Sequence, residues 1–450
     1  MSKDLHQLSR PKGSLLFGNT VDFASDPLGF LTHCAQAYEE MVPLRFLFSR
    51  ACLLTQPEHI DQVLKQPELF TKNTPAWQAV RSLVGDGLLT SEGAFWSRQR
   101  RLTQPVFHQQ RIAAYGETMV LYTERLLQTW QDGDVRDIHQ DMMQLTLNIV
   151  TKTLFNVDMS GVAAQTIAQT LEVAMEWFTS RRKQAFLPLT GLPTAINRRY
   201  KQALQTMDQT IYALIQQRHQ SKDDPGDLLS LLLQAQDEDG SRMSDRQLRD
   251  ELTTLILAGH ETTANALSWV WMLLAQNPAV ESKLARELQT VLGDRAPTLA
   301  DLPQLRYTEQ IIKEALRLYP PLFSLARSPV RDCDLAGYRI PAGRILLFSP
   351  WVMHRSARYF AEPLQFQPER WEQDLEKQLP KGVYFPFGDG PRVCMGKSFA
   401  LMEAVLLLAT IAQKCQLMLL PDQQLTPLPS MTLRPQTGIH VRVAKRTTVN

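Results

Sequence analysis

Cysteine is scarce: five in 450 residues. Cys34, Cys52, Cys333, Cys394 and Cys415 form no C-x-x-C pair and no disulfide-framework spacing. That argues against a disulfide-stapled secreted scaffold and for a reducing compartment. No run reaches the roughly 18 apolar residues of a membrane span. The start, MSKDLHQLSRPKGSLLFGN, has no apolar h-region of the signal-peptide kind. The expectation is a soluble, cytoplasmic protein. Charge of one sign is also missing: 48 basic residues face 46 acidic ones, a net +2, too mild a balance to call for nucleic acid. There is no internal repeat and no low-complexity linker. No G-x-G-x-x-G follows a strand pattern, so no flavin or nicotinamide domain is expected.

What is present is ordinary in amount, 44% hydrophobic and 21% charged residues. Apolar positions recur at three- and four-residue spacing near 92–104, 111–131, 136–156, 162–181, 194–220, 244–277, 279–292 and 304–318, which predicts helices there. Val42–Thr55 is rich in β-formers and reads as a hairpin, and a short proline-led helix follows from Pro57. Strand signals return near 337–349 and in the tail, MTLRPQTGIHVRV. Ser221–Gly226 and Asp237–Ser241 are polar, contain Gly or Pro, and read as flexible. The fold class is mainly α with small β-sheets.

The longest helix starts on a capping box, Ser244 with Gln247 three residues on, and ends before Pro278. Its middle, LTTLILAGHETTANALSWVW, is apolar nearly all round, the pattern of a helix buried through the centre of a domain. Yet Gly259, His260, Glu261, Thr262 and Thr263 sit there. Glycine weakens a helix interior and Thr hydroxyls bond back to the preceding turn, so a kink or bulge is expected. Polar groups at such a place are costly unless partnered or employed.

The stretch FPFGDGPRVCMG crowds three glycines and two prolines around Cys394. It resembles the heme-ligand signature of the cytochromes P450, Phe-x-x-Gly-x-Arg-x-Cys-x-Gly, met by Phe387, Gly390, Arg392, Cys394 and Gly396. The resemblance implies that Cys394 is the thiolate ligand of heme b iron, a ligand type that favours O–O cleavage. It implies that Phe387 packs beside the ligand, that Gly390 and Gly396 allow the turn, and that Arg392 pairs with a heme propionate. Glu314-Ala-Leu-Arg317 resembles the family's Glu-x-x-Arg pair, and Phe366-Gln-Pro-Glu-Arg370-Trp371 the segment supplying its third member. Glu314, Arg317 and Arg370 are therefore expected to form a structural ion-pair network beneath the heme. Trp96-Ser-Arg-Gln-Arg100 resembles the Trp-x-x-x-Arg at the heme edge, with both side chains on one helix face, and Arg327 falls where many members place another propionate ligand. The resemblance spans essentially the whole chain. It implies one P450 domain over 1–450 with no fused reductase and one long helix crossing a buried heme.

Ala258-Gly-His-Glu261-Thr262-Thr263 matches the family's oxygen-binding segment. It implies a catalytic pair: the Thr262 hydroxyl at the reacting oxygen and the Glu261 carboxylate relaying protons. A packing role is expected for His260. By family geometry, substrate contacts come from the Trp77–Leu89 loop, Ala258, Thr262, Leu322, Phe323 and Met431, largely apolar, so a small lipophilic substrate is expected. Arg81 is a candidate carboxylate clamp and equally a surface residue.

The segments resemble those of bacterial fatty-acid hydroxylases and of a bacterial β-carotene hydroxylase, leaving fatty-acid-like and isoprenoid substrates open. Electrons would come from a separate ferredoxin or flavodoxin, with Lys381, Lys397, Arg98 and Arg101 attracting an acidic partner. Ser180–Lys183 and Arg198–Lys201 flank an apolar stretch, an arrangement that suits a solvated helix–loop–helix first and weak peripheral contact with an anionic bilayer second. The expected state is a monomer. The leading reading is a monooxygenase using O2; a peroxygenase or isomerase on the same fold, and a non-enzymatic heme-thiolate sensor, are the alternatives.

Overall fold

The computed structural model describes residues 3–38, 40–107, 109–157, 162–183, 193–221 and 225–446. The expected helices appear as Gly93–Thr103, Gln109–Gln128, Ile138–Phe155, Val162–Lys183, Ala195–Gln220, Asp245–Gln276, Pro278–Leu292 and Arg306–Leu318. Pro27, Pro57, Pro75 and Pro278 each open a helix, where a missing N–H costs nothing. One long helix went unforeseen. Lys397–Lys414 is buried all round, so its apolar residues carry no one-sided period. Pro75–Val84 and Leu228–Gln234 were also not expected.

The strand signals are real and serve four sheets, the 337–349 segment and the tail each dividing between two. Met41–Phe46 and Ser49–Leu54 form the expected hairpin, in register Met41 to Leu54. Ile345–Phe348 runs parallel to the second of these strands and antiparallel to Leu325–Pro329, which places Arg327 opposite Leu346. Tyr338–Ile340 instead joins Cys333–Leu335 and Lys3–Asp4. Proline and glycine at 341 and 343 separate the two strands of the 337–349 segment.

The Asp245–Gln276 helix is the spine. Its capping box is made: the Ser244 hydroxyl accepts from Gln247 N–H while Gln247 Oε1 accepts from Ser244 N–H at 2.8 Å. Its second half packs against Lys397–Lys414 and Arg306–Leu318 in the larger core, and its first half lies against Ala195–Gln220 in the second. Trp269 anchors the larger core. It stacks on Tyr319 at 4.5 Å, and its indole N–H donates to Leu433 O at 3.0 Å. The helix runs through Gly259 without a break or bulge, as one α-helical element from Asp245 to Gln276. Glycine serves another purpose there: a Cβ would stand 2.8 Å from Val150 Cγ2, so its absence eases the close approach of Ile138–Phe155.

Candidate active site

The chain folds Phe385–Gly396 into a tight loop. Gly388 N–H donates to Phe385 O at 2.9 Å and Cys394 N–H to Phe387 O at 3.0 Å. Gly390 has φ +69°, and a Cβ there would stand 2.4 Å from Leu64 O, so only glycine fits. Gly396 is different. Its φ is −79°, and a Cβ would lie 3.8 Å from Cys394 Sγ, an ordinary contact. The expectation that Gly396 permits the turn is thus corrected; what it supplies is its backbone N–H, donated to the Cys394 sulfur. Cys394 is exposed, but the space it meets is an internal cavity, for the rest of the chain encloses it. Burial pushes its thiol up, while the Gly396 N–H and the cations of Lys72, Arg100 and Lys397 pull it down.

The cavity holds about 1720 Å³ of non-atom space, its mouth included. Trp96, Arg100, Arg327, Phe387, Arg392, Cys394 and Gly396 all line it. Arg100 Nη1 donates to Val393 O at 3.2 Å. Arg392 pairs with Glu92 through one nitrogen, leaves the other, Nη1, without a partner, and lies 4.1 Å over the Trp96 ring. Burial, first of all, lowers Arg327 and Arg392 to about 10. A fourth cation was not foreseen. Lys72 is buried, donates to Leu89 O at 2.9 Å, sits 4.7 Å over Trp77, and is pushed well below its usual pKa by burial and then by Arg327 and Arg392. Lys72 and Glu92 belong to no linear motif; only the fold brings them here. Four cations therefore face one carboxylate in an enclosed space, which is costly unless an anion joins them.

The long helix divides its residues between two cavities. Ala258, Gly259, Thr262 and Thr263 line the first. His260 and Glu261 line a second, of about 1900 Å³ of non-atom space with its open mouth included, bounded also by His139 and Arg434. Thr262 donates its hydroxyl to Ala258 O at 2.6 Å. Glu261 accepts from the Thr432 hydroxyl at 2.6 Å, and its other oxygen has no hydrogen-bond partner. Burial raises its pKa, and Thr432 and Arg434 moderate the rise. So the two members of the expected pair turn to different spaces. His260 packs: burial and then His139 push its pKa down to about 3, keeping it neutral.

Beneath the Cys394 loop, Glu314, Arg317 and Arg370 come together. Arg317 Nε and Nη2 each donate to the Glu314 carboxylate at 2.8 Å. Arg370 Nε donates to Glu314 at 3.2 Å, Gln367 N–H at 3.0 Å and Trp371 Nε1 at 2.9 Å. Arg317 also donates to His354 O and Pro363 O, so five donors meet Glu314 and no donor of Arg317 is wasted.

The family profile for cytochrome P450 matches residues 9–443. The chain is a cytochrome P450. It is 39% identical to the cyclooctatin synthase of Streptomyces melanosporofaciens over 94% of this chain and 92% of that protein. It is 33% identical to the pentalenene oxygenase of Streptomyces avermitilis, over 96% of this chain and 95% of that protein. The crystal structure of the cytochrome P450DA heme domain superposes with a TM-score of 0.89 at 27% identity, covering 98% of each chain. The P450 is a heme b monooxygenase. Its cavity fits that cofactor. The sulfur with its N–H donor suits an iron-bound thiolate, and the uncompensated cations suit the two heme carboxylates.

Several expectations for the P450 fail on geometry. Ala258 and Leu322 line the cavity, but Phe323 and Met431 do not. Phe323 O instead accepts from Ser349 Oγ and Trp351 N, which fixes that turn. Met431 packs into the second core. Leu325, not foreseen, lines the cavity. Arg81 is no clamp: it donates to Thr90 O at 2.6 Å and pairs with Asp86 at 3.0 Å. Of the surface cations, Arg98 and Arg101 both pair with Asp237 at 3.2 Å, and Lys397 pairs with Glu376 at 3.1 Å. The same bonds tie down the Asp237–Ser241 turn expected to be flexible. Residues 184–192, most of the apolar stretch between the basic clusters, and 222–224 lie outside the described residues. No described helix is long and apolar enough to cross a membrane.

Proposed function

We propose that this P450 hydroxylates a terpenoid ring hydrocarbon or its mono-alcohol, with electrons from a separate ferredoxin or flavodoxin. The observation that carries the substrate class is the cavity wall. Its cations gather at the Cys394 side with Lys72, Arg100, Arg327 and Arg392, and the helix and loop residues facing the substrate space, Ala258, Leu322, Leu325 and Leu88, are apolar. With Arg81 engaged elsewhere, no described side chain offers a second carboxylate clamp, which disfavours a fatty acid. Relatives named for pentalenene oxygenation and for cyclooctat-9-en-7-ol 5-monooxygenation support the same class.

In this reading Cys394 would hold the heme iron, while Arg100, Arg327, Arg392 and Lys72, with Trp96, would hold the carboxylates. Phe387 shields the sulfur. The heme supplies O2 binding and activation by two electrons. The chain supplies everything else. Ala258 and Leu322 position the substrate and exclude water from it. Thr262 stands at the cavity side of the helix, able to exchange its bond to Ala258 O for one to a ligand oxygen. Glu261, held by Thr432, takes protons from the second cavity and passes them toward Thr262. The Glu314–Arg317–Arg370 network fixes the floor. That the matched heme domain spans 98% of this chain supports reading residues 1–450 as a single heme domain. A monomer, and weak peripheral membrane contact near 180–201, complete the proposal; liposome flotation tests the latter.

The deciding experiment is a spectral-shift titration of the heme-loaded protein with pentalenene, lauric acid and β-carotene, followed by turnover with a surrogate ferredoxin pair. A substrate-type shift and hydroxylated product with pentalenene are expected. A shift only with lauric acid would overturn the substrate class. A thiolate-type ferrous–CO band without product from any lipophile would favour the sensor.

A further inference from the structure

Arg249, Asp250 and Glu251 are consecutive in the long helix and all buried. Each takes a backbone group of the stretch 83–88. Arg249 Nη2 donates to Leu83 O at 3.3 Å, Asp250 accepts from Asp86 N–H at 2.9 Å, and Glu251 accepts from Leu88 N–H at 2.9 Å. The stretch lies hard against the helix: a Cβ on Gly87 would stand 2.4 Å from Thr254 Oγ1 and 2.7 Å from Asp250 O. The next two residues, Leu88 and Leu89, line the heme cavity. Leu89 O accepts from Lys72 Nζ at 2.9 Å, so the pair is tied at one N–H and one carbonyl. The two acids differ in how far they are satisfied. Asp250 also accepts from Arg249 Nη1 at 2.8 Å. Glu251 is fully buried, and its Oε1 has no hydrogen-bond partner. An apolar residue in its place would orphan the Leu88 N–H.

We propose that Glu251 is a positioning residue for ligand binding: through the Leu88 N–H it sets where the Leu88–Leu89 wall of the heme cavity stands. The proposal rests on the heme cavity and not on the terpenoid reading. The tie is linked to a proton. Burial raises the Glu251 pKa from its ordinary 4.5 to about 7, with the Leu88 N–H drawing it down and Asp250 adding to the rise. Charged side chains stand on every side: Arg249 and Asp250 on its own helix, Arg81 and Asp86 before Leu88, Asp208 on Ala195–Gln220 and Lys152 on Ile138–Phe155. Of these only Asp250 acts on it. Arg81 is paired with Asp86, and Arg249 with Asp208 and Asp250. Lifting the loop off the helix admits water to the carboxylate and returns its pKa toward the ordinary value. The seated loop therefore holds the proton more tightly than the lifted one. Below pH 4.5 both forms are protonated and seating carries no cost. As pH rises toward 7 the lifted form releases its proton first, so seating weakens, and above 7 the loss is complete. A purely structural hold on the loop would not depend on pH.

The test uses heme-loaded ferric wild type, Glu251→Gln and Glu251→Leu, each checked for heme content. Two heme ligands that do not titrate serve as probes: methyl isocyanide, which needs only the iron, and cyclohexyl isocyanide, which is bulky enough to meet the cavity wall. Their Kd values are read by absorbance from about pH 5.5 to about pH 8. The ratio of the two cancels any effect of pH on the heme itself. In wild type the cyclohexyl-to-methyl ratio should rise by roughly fivefold with pH and level off above about 7, inside the tenfold that each unit of pKa linkage allows. Glu251→Gln still accepts from the Leu88 N–H but cannot ionise, so it should keep the low-pH ratio across the range. Glu251→Leu strands that N–H and should raise the ratio by roughly tenfold at every pH. A flat wild-type ratio would overturn the proposal, as would a pH-dependent ratio that persists in Glu251→Gln. If Glu251→Leu does not retain heme, the comparison of wild type with Glu251→Gln decides alone. No terpenoid and no redox partner enters the test, so failure of the substrate reading would leave these outcomes unchanged.

Discussion

Two regions of this P450 bury glutamates completely and treat them in opposite ways. Beneath the Cys394 loop, Glu314 receives five donors, two from Arg317 and one each from Arg370, Gln367 and Trp371. Around the long helix, Glu251 receives one backbone N–H at 2.9 Å, Glu261 one hydroxyl, and Glu403 no bond of regular geometry. Burial leads the causes that raise all three of the latter, to about 7 for Glu251 and about 8 for Glu403. A saturated carboxylate is a fixed charge that organises backbone. An unsaturated one hovers near the protonated state and can exchange with its surroundings. The residue type is the same; the number of donors within reach decides which it becomes.

Removing one member of the saturated set should have the largest effect. Arg317→Leu strands the Glu314 charge and frees the carbonyls of His354 and Pro363, so a loss of about 3–5 kcal/mol and failure to retain heme are expected. Heme content after expression and thermal unfolding measure it. A variant with normal heme content would erase the distinction drawn here.

The unsaturated set should respond to pH instead. The Glu403 carboxyl titrates at 4.5 when unfolded and at about 8 when folded. Below pH 4.5 both states hold the proton and nothing is lost. As pH rises toward 8, the unfolded chain releases it first, so stability falls, and above 8 the loss is complete. Glu403→Gln removes that penalty. The Tm difference between variant and wild type should therefore grow from pH 5 to pH 9, by the equivalent of a few kcal/mol. A constant difference would place Glu403 with Glu314.

Smaller still is the response expected at Gly259. Alanine there gains about 1 kcal/mol of helix propensity but pushes into Val150 at 2.8 Å, and overpacking of this kind costs typically 1–3 kcal/mol. A net loss of about 1 kcal/mol is expected in denaturant unfolding, with Thr262 and Glu261 left on their separate sides. A stabilised variant would mean that the two helices can part.

Much of this site is readable in one dimension because its residues are neighbours in the chain. Phe387, Arg392 and Cys394 share one loop, Glu314 and Arg317 one helical turn, and Trp96 and Arg100 one helix face. What escapes such reading is assembled by the fold. Lys72 and Glu92 reach the cavity from a loop and a helix start with no motif. Phe323 sits beside the cavity-lining Leu322 but turns its carbonyl to Ser349. The Lys397–Lys414 helix hides because uniform burial erases periodicity, and Glu403 hides within it.

The partition of the long helix has an evolutionary consequence. Ala258, Thr262 and Ala266 open on the cavity that receives the substrate, while Leu257, His260 and Glu261 open on the second. Mutations that reshape the first set leave the second set's lining untouched. A lineage built on this helix can drift from one apolar substrate to another while the acid behind it stays in place.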